Sequence, residues 1–294
     1  MSSLRVFYAR VTLSWGFIVR FFGVSAAQPS YPVPPPTTVV GAFAYSLSRV
    51  LGLNPAGAGI RWGDGRLVSD TMKPFLEATV LASAGLLSSG ASAGVAVHQE
   101  INRIIASPYK SGGDVSNIRE PKHIEDAIQR ALPVQAVGGA YSPGLKLELL
   151  WAVDMNRLSK EFDISVERLD DAAKKAVHGV VRVGSKEGIV AIEKSIYIEK
   201  PDVAGTGGRI RTRLYVDHEC VEEVLDPAYV IKLLIPDLRY RLKRYYVPAR
   251  GGSNNIILAL REDMPSPRFR ITNECKAVGI PGLEGVIGVW PEKV

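Results

Sequence analysis

The chain has 294 residues, of which 46% are hydrophobic in type and 22% charged, enough to bury a sizeable core and too ordered in composition for wholesale disorder. Its net charge of +6 permits a polyanionic partner without requiring one. Two cysteines, Cys220 and Cys275, form no CxxC pair and exclude a small disulfide-framed scaffold; four scattered histidines, His98, His123, His178 and His218, carry no zinc signature, so no metal or other cofactor is expected.

Taken in chain order, the first 27 residues can be read as a signal peptide, with small residues at Ser25 and Ala27. Arg20 interrupts the apolar run, however, and Arg10 follows strand-like residues, so a reducing cytoplasm is the expected location. No window holds 18 uninterrupted apolar residues, and no membrane partner is expected. "LRVFYARVTLSW", Leu4 to Trp15, is rich in β-branched and aromatic residues and reads as a strand. A proline-laden connector, "QPSYPVPPP", then leads into a helix from about Thr37 to Leu51. Val40, Phe43, Leu47 and Val50 or Leu51 make its buried stripe, and Gly52 and Pro55 its stop signals.

"GIRWGDGR", Gly59 to Arg66, reads as a loop, and "FLEATVLASAGLL" from Phe75 as the next strand. Leu86 to Tyr141 is irregular, as an insertion or projecting arm would be. "LKLELLWAVD", Leu145 to Asp154, returns as a buried strand. A helix follows, N-capped by Ser165, with Val166, Leu169, Ala173 and Ala176 or Val177 facing one way and Asp170–Lys174 and Asp171–Lys175 paired four residues apart. "GVVRVGS" and "GIVAIEKSIYIEK" supply further strands; after Gly205 the chain reads as short strands and turns. The resulting βαββαβ order predicts an α+β protein with a ferredoxin-like palm, the order of the RNA-recognition motif. The palm is expected over residues 1–204, with a thumb-like insertion at about 86–141 and a β-rich C-terminal extension over 205–294.

The chemistry-bearing motifs are few. "GVVRVGSK" inverts the Ser and Lys of a P-loop, and "GAGIRWG" misses the dinucleotide fingerprint. Arg209, Arg211 and Arg213 alternate, so a strand would present all three on one face, to a phosphate backbone or to solvent. "RYRLKRYYVPARGG" interleaves basic residues with Tyr240, Tyr245 and Tyr246; it suits unpaired bases, a partner's acidic face, or simply a strand with inward tyrosines. No catalytic constellation emerges, and a lone histidine such as His98 is usually structural.

"VTLSWGFIVRFFGVSAAQPSYPVPPPTTVVGAFA" and "RVGSKEGIVAIE", Arg182 to Glu193, together resemble the CRISPR-associated Cas-five family of the repeat-associated RNA-binding superfamily, in particular its type I-A archaeal branch. The resemblance implies a non-catalytic subunit that caps the 5′ handle of the CRISPR RNA in a Cascade-type antiviral complex. Its partners would be the RNA, a backbone subunit and the large subunit, with a helicase-nuclease recruited by the assembly. The alternative is a metal-independent endoribonuclease acting on CRISPR repeat RNA, for which no set of acid and base residues can be matched. On this reading Arg20, Ser30, Tyr31, Thr37, Thr38, Arg182, Ser185 and Lys186 are the RNA-binding candidates. Tyr31 would offer a stacking face and the Thr37 helix its free backbone N–H groups. Lys110, Arg209, Arg211 and Arg213 are additional contacts to RNA or a partner.

Overall fold

The computed structural model describes residues 3–19, 21, 27–54, 58–62, 66–90, 94–104, 134–185, 187–204, 207–251 and 256–292. The first part of the chain runs β1 (Leu4–Leu13), α1 (Pro36–Leu51), α2 (Met72–Ala78), β2 (Thr79–Ser88), β3 (Gly94–Ile104), β4 (Val134–Tyr141), β5 (Lys146–Asp154), α3 (Met155–Phe162), α4 (Val166–Ala176) and β6 (Val190–Ile198). Beyond it come β7 (Gly208–Arg211), β8 (Val216–Asp217), β9 (Val221–Val224), β10 (Val230–Pro236), β11 (Leu242–Pro248), β12 (Leu260–Arg261), β13 (Arg268–Ile271), β14 (Cys275–Gly279) and β15 (Ile287–Pro291). Shorter pairings are named by residue.

The main sheet has the order β6-β1-β5-β2-β12. Its pairs are antiparallel except β12 with β2. Alternation along β1 sends Phe7, Ala9, Val11 and Leu13 into one core and Leu4, Val6 and Tyr8 into another. On the first face Trp151 of β5 lies against Phe7 (ring centroids 4.7 Å apart), Phe43 of α1 and Phe75 of α2. The indole N–H of Trp151 donates to Thr79 Oγ1 at 2.8 Å, so the ring's one polar atom is satisfied inside the core. Burying each such ring stabilises the fold by about 1.5–3 kcal/mol. On the second face Val6, Tyr8, Leu150 and Ala152 are covered by Leu214, Val278, Val286 and Trp290 of the C-terminal part. The sheet is therefore buried on both sides, as its near-continuous apolar strands require.

Several sequence expectations need correction. Phe75 opens no strand: it lies in α2, and the strand begins at Thr79. The 59–66 loop is part of a hairpin, Gly59–Trp62 paired with Arg66–Ser69. The 86–141 region is not irregular at its base, because β3 and β4 pair antiparallel there and β4 also receives Gly16–Phe17; residues 105–133 lie outside those described. "GVVRVGS" forms no strand; it contributes one isolated bridge, Arg182 to Ile189. A helix absent from the sequence reading, α3, follows β5 directly, capped by the Asp154 side chain, which accepts from the Asn156 and Arg157 N–H groups at 3.0 and 3.2 Å. Cys220 and Cys275, which no CxxC spacing links in sequence, are joined in a disulfide and both buried.

Candidate nucleic-acid interface

The end of β1 and the loop after α4 are more than 160 residues apart in sequence, yet they meet. Ser14 N–H donates to Ile189 O (3.2 Å) and Ser185 N–H to Ile18 O (3.1 Å). The Trp15 indole donates to Glu187 O at 2.5 Å. The loop closes on itself through Val183 N–H to Gly188 O (2.8 Å) and Gly188 N–H to Ser185 O (3.0 Å), and Ser185 Oγ donates to Glu187 Oε2 at 2.5 Å. Gly184 has a φ of +78°, and a Cβ there would stand 2.6 Å from Ile18 O, so conformation and close approach both demand glycine. Arg182 lies 4.8 Å from the centroid of the Tyr45 ring on α1. This geometry fixes a guanidinium that remains half-exposed. Arg182 and Ser185 thus share one junction. Lys186, expected beside them, lies outside the described residues.

The proline-rich segment behaves differently from expectation. Val19 and Phe21 exchange hydrogen bonds with the proline-rich segment, Phe21 N–H to Pro29 O (3.0 Å) and Tyr31 N–H to Val19 O (2.9 Å). Ser30 Oγ accepts from Val19 N–H at 3.0 Å. This pairing turns Ser30 and Tyr31 inward: each is only 1% exposed, and the Tyr31 ring stacks on Phe21 with centroids 4.0 Å apart. Tyr31 therefore gives no stacking face to a ligand, and Ser30 is a structural hydroxyl. Pro34 O accepts from the Tyr215 hydroxyl at 3.2 Å, tying the connector to the C-terminal part. The helix begins one residue early, at Pro36, with Pro35 as its cap. Proline has no N–H, and the Thr38 and Val39 N–H groups both reach Pro35 O (2.9 and 3.1 Å). The expected cradle of free N–H groups is thus reduced to that of Thr37. Thr37 and Thr38 are half-buried; Arg20 lies outside the described residues.

The C-terminal arginines divide. Arg209 and Arg211 lie exposed on one face of β7, as alternation predicts. The strand ends before Arg213, whose side chain is 11% exposed and bonded to the buried Glu148 (3.2 Å) and to Glu284 O (2.9 Å). It is a structural clamp and not a surface contact. Across the ladder Arg209 faces Arg270 and Arg211 faces Arg268. Glu223 pairs with Arg270 at 3.0 Å and Asp226 with Arg268 at 2.8 Å. The Arg268 hydrogen bonds hold the Asp226 carboxyl below the usual carboxylate range. The face is a mosaic of both signs. Lys110 lies outside the described residues.

In the tyrosine-rich segment Tyr245 is buried, and Tyr246 stacks on His218 with Lys232 over its ring. Arg241 pairs with Asp237, and Lys243 with Asp217 and Glu219. The packing reading of that segment therefore prevails over base stacking. Sequence reasoning missed Trp15, Tyr45 and Glu187, which build the junction. The Trp-Gly step before Phe17 was its only signal.

Among the described residues no group of three or more His, Cys, Asp or Glu side chains is placed to hold a metal, and no helix is long and apolar enough to cross a membrane.

The chain has a mixed α/β fold with a junction at the edge of its main sheet that carries Arg182 and Glu187, and a CRISPR protein from Archaeoglobus fulgidus shares the fold. That solved structure is matched over 98% of this chain and 99% of its own, with a TM-score of 0.52 at 15% sequence identity. Curated relatives are more specific. "CRISPR-associated protein Cas5 3" of Saccharolobus solfataricus is 27% identical over 210 residues, 71% of each chain. "CRISPR system aCascade subunit Cas5 1" of the same organism is 26% identical over an equal span. Over that span the chain is thus similar to proteins named Cas5 from Saccharolobus solfataricus. No family model matches it.

Proposed function

We propose that this chain is a non-catalytic RNA-binding subunit of a type I-A, Cascade-type CRISPR interference complex, and that it caps the 5′ handle of the CRISPR RNA. The observation that carries the reading is the junction: the two sequence blocks shared with the Cas-five family close on each other around Gly184. Relatives named as Cas5 proteins, one of them an aCascade subunit, support it. The order β6-β1-β5-β2, all antiparallel, supports a ferredoxin-like palm over residues 1–204, with 205–294 as its extension and β3/β4 as the root of the thumb.

The sheet face that an RNA-recognition motif offers to bases is covered here by Leu214, Val278 and Trp290. RNA therefore binds at the junction edge, where Arg182 meets phosphate and Ser185 supplies a hydroxyl. The backbone and large subunits are the protein partners, and the helicase-nuclease joins through the assembly. A cytoplasmic location is compatible with the disulfide, since both its sulfurs are buried away from soluble reductants.

The test is co-purification from cells that transcribe a CRISPR array. Wild-type chain should retain CRISPR RNA together with a backbone subunit, and Arg182→Glu should lose RNA about tenfold or more while reducing the salt dependence of binding. Retention of no CRISPR RNA by the wild type would overturn the reading. A defined cut in repeat RNA, lost on His98→Ala, would instead establish the endoribonuclease alternative.

A further inference from the structure

Trp15 and Tyr141 stand beside the junction, with their rings next to each other. Trp15 is half-buried and pinned through its indole N–H to Glu187 O. Tyr141, at the end of β4, is 46% exposed. Their ring centroids are 6.5 Å apart and their planes 36° from each other. The supporting backbone is closely packed. Gly16 pairs with Tyr141, and a Cβ on Gly16, whose φ is +152°, would stand 2.1 Å from Ala140 O. Ser142 N–H donates to Trp15 O at 2.7 Å. Since Gly16 has no side chain, nothing on the paired strand separates the tyrosine ring from the indole.

The surroundings fit one kind of ligand. Ser14, next to Trp15, is bonded to Ile189, which is 58% exposed and bridged to Arg182. The backbone thus links Arg182 to Ile189 and Ile189 to Ser14, next to Trp15, whose ring neighbours Tyr141. That sequence of groups suits a strand of nucleic acid whose phosphate meets the cation and whose bases are unpaired. Tyr31, which sequence reasoning put forward for stacking, is buried against Phe21.

We propose that Trp15 and Tyr141 form a stacking platform for an unpaired base of single-stranded RNA, one step along the strand from the phosphate held at Arg182. This inference rests on the RNA-binding reading above.

The experiment titrates full-length chain with a fluorescein-labelled, unstructured oligoribonucleotide and with a series in which one base at a time is replaced by an abasic site. Tyr141→Ala is expected to weaken binding about 5- to 150-fold, whereas Tyr141→Phe keeps the ring and wild-type affinity. One abasic position should weaken the wild type and erase the difference between it and Tyr141→Ala. Tyr141→Ala binding every probe like the wild type, while Arg182→Glu binds weakly, would refute the platform and leave the RNA-binding reading standing. A wild-type chain that binds no oligoribonucleotide would remove both.

Discussion

Arg5, Asp170 and Tyr197 come from β1, α4 and β6, and together they dock the helix on the sheet edge. Arg5 holds Asp170 through two bonds of 2.9 Å, and the Tyr197 hydroxyl donates to the same carboxylate. Sequence spacing pairs Asp170 with Lys174. In the fold Asp170 turns to Arg5, and Lys174 reaches Glu199 at 2.8 Å. Burial pushes the Asp170 carboxyl up, but hydrogen bonds from Arg5 and Tyr197 and the Arg5 charge outweigh it and hold the group below its ordinary value. Burial acts on Glu193 in the same upward sense, and bonds from Thr12 and Lys146 outweigh it likewise. A depressed folded pKa contributes stability that is present above the unfolded value near 4 and lost as pH falls through the folded one. Asp170→Asn removes the carboxylate charge that Arg5 bonds and should cost about 3 kcal/mol at neutral pH, read as a lower urea midpoint. The variant should also lose less stability than wild type between pH 5 and the acid limb; an identical acid slope would show that Asp170 titrates normally.

At the scale of elements, the strands around the disulfide are short and pair over only a few residues. β8 has two residues and β9 four. The disulfide from Cys220 to Cys275 closes a separation of 55 residues and brings a 3-10 turn against the start of β14. Removing it with Cys275→Ser or the double serine variant should cost about 2–4 kcal/mol, measured by chemical denaturation. An unchanged midpoint in the double variant would show that the surrounding packing of Phe269, Ile271 and Val289 suffices.

The pairing was invisible in the sequence because nothing local marks two cysteines so far apart as neighbours. What was legible had a period. The strands of β1, β5 and β6 and the stripes of α1 and α4 follow from alternation or from three-to-four spacing. Helix α3 escaped because Met155 continues the apolar run of β5 and only Asp154 marks the break. The base of the insertion escaped because Gly138 and Gly139 dilute the alternation of β4. The junction was half legible: both blocks were found, but neither reveals the aromatic residues that join them.

For the whole molecule, the sheet couples its two layers. Glu148, fully buried on β5, accepts from the Tyr8 hydroxyl (2.8 Å), from Arg10 (2.7 Å) and from Arg213 of the C-terminal part (3.2 Å). Glu262, beyond β12, reaches Lys146 at 2.8 Å and Arg10 at 3.5 Å. Around these ion pairs Leu214, Val278 and Trp290 cover Val6, Leu150 and Ala152. Removing residues 205–294 would expose that apolar face and leave Glu148 with one arginine fewer, and both effects destabilise what remains. The two parts of the chain are therefore expected to unfold together. Urea denaturation followed by far-UV circular dichroism and by tryptophan fluorescence should give one coincident transition, because Trp151 reports the helix-side core and Trp290 the extension side. A chain ending at residue 204 should be insoluble or expose enough surface to bind a hydrophobic dye. Two separated transitions, or a soluble and cooperatively folding 1–204 fragment, would mean that the extension is a dispensable cover, and RNA access to the second sheet face would then have to be reconsidered.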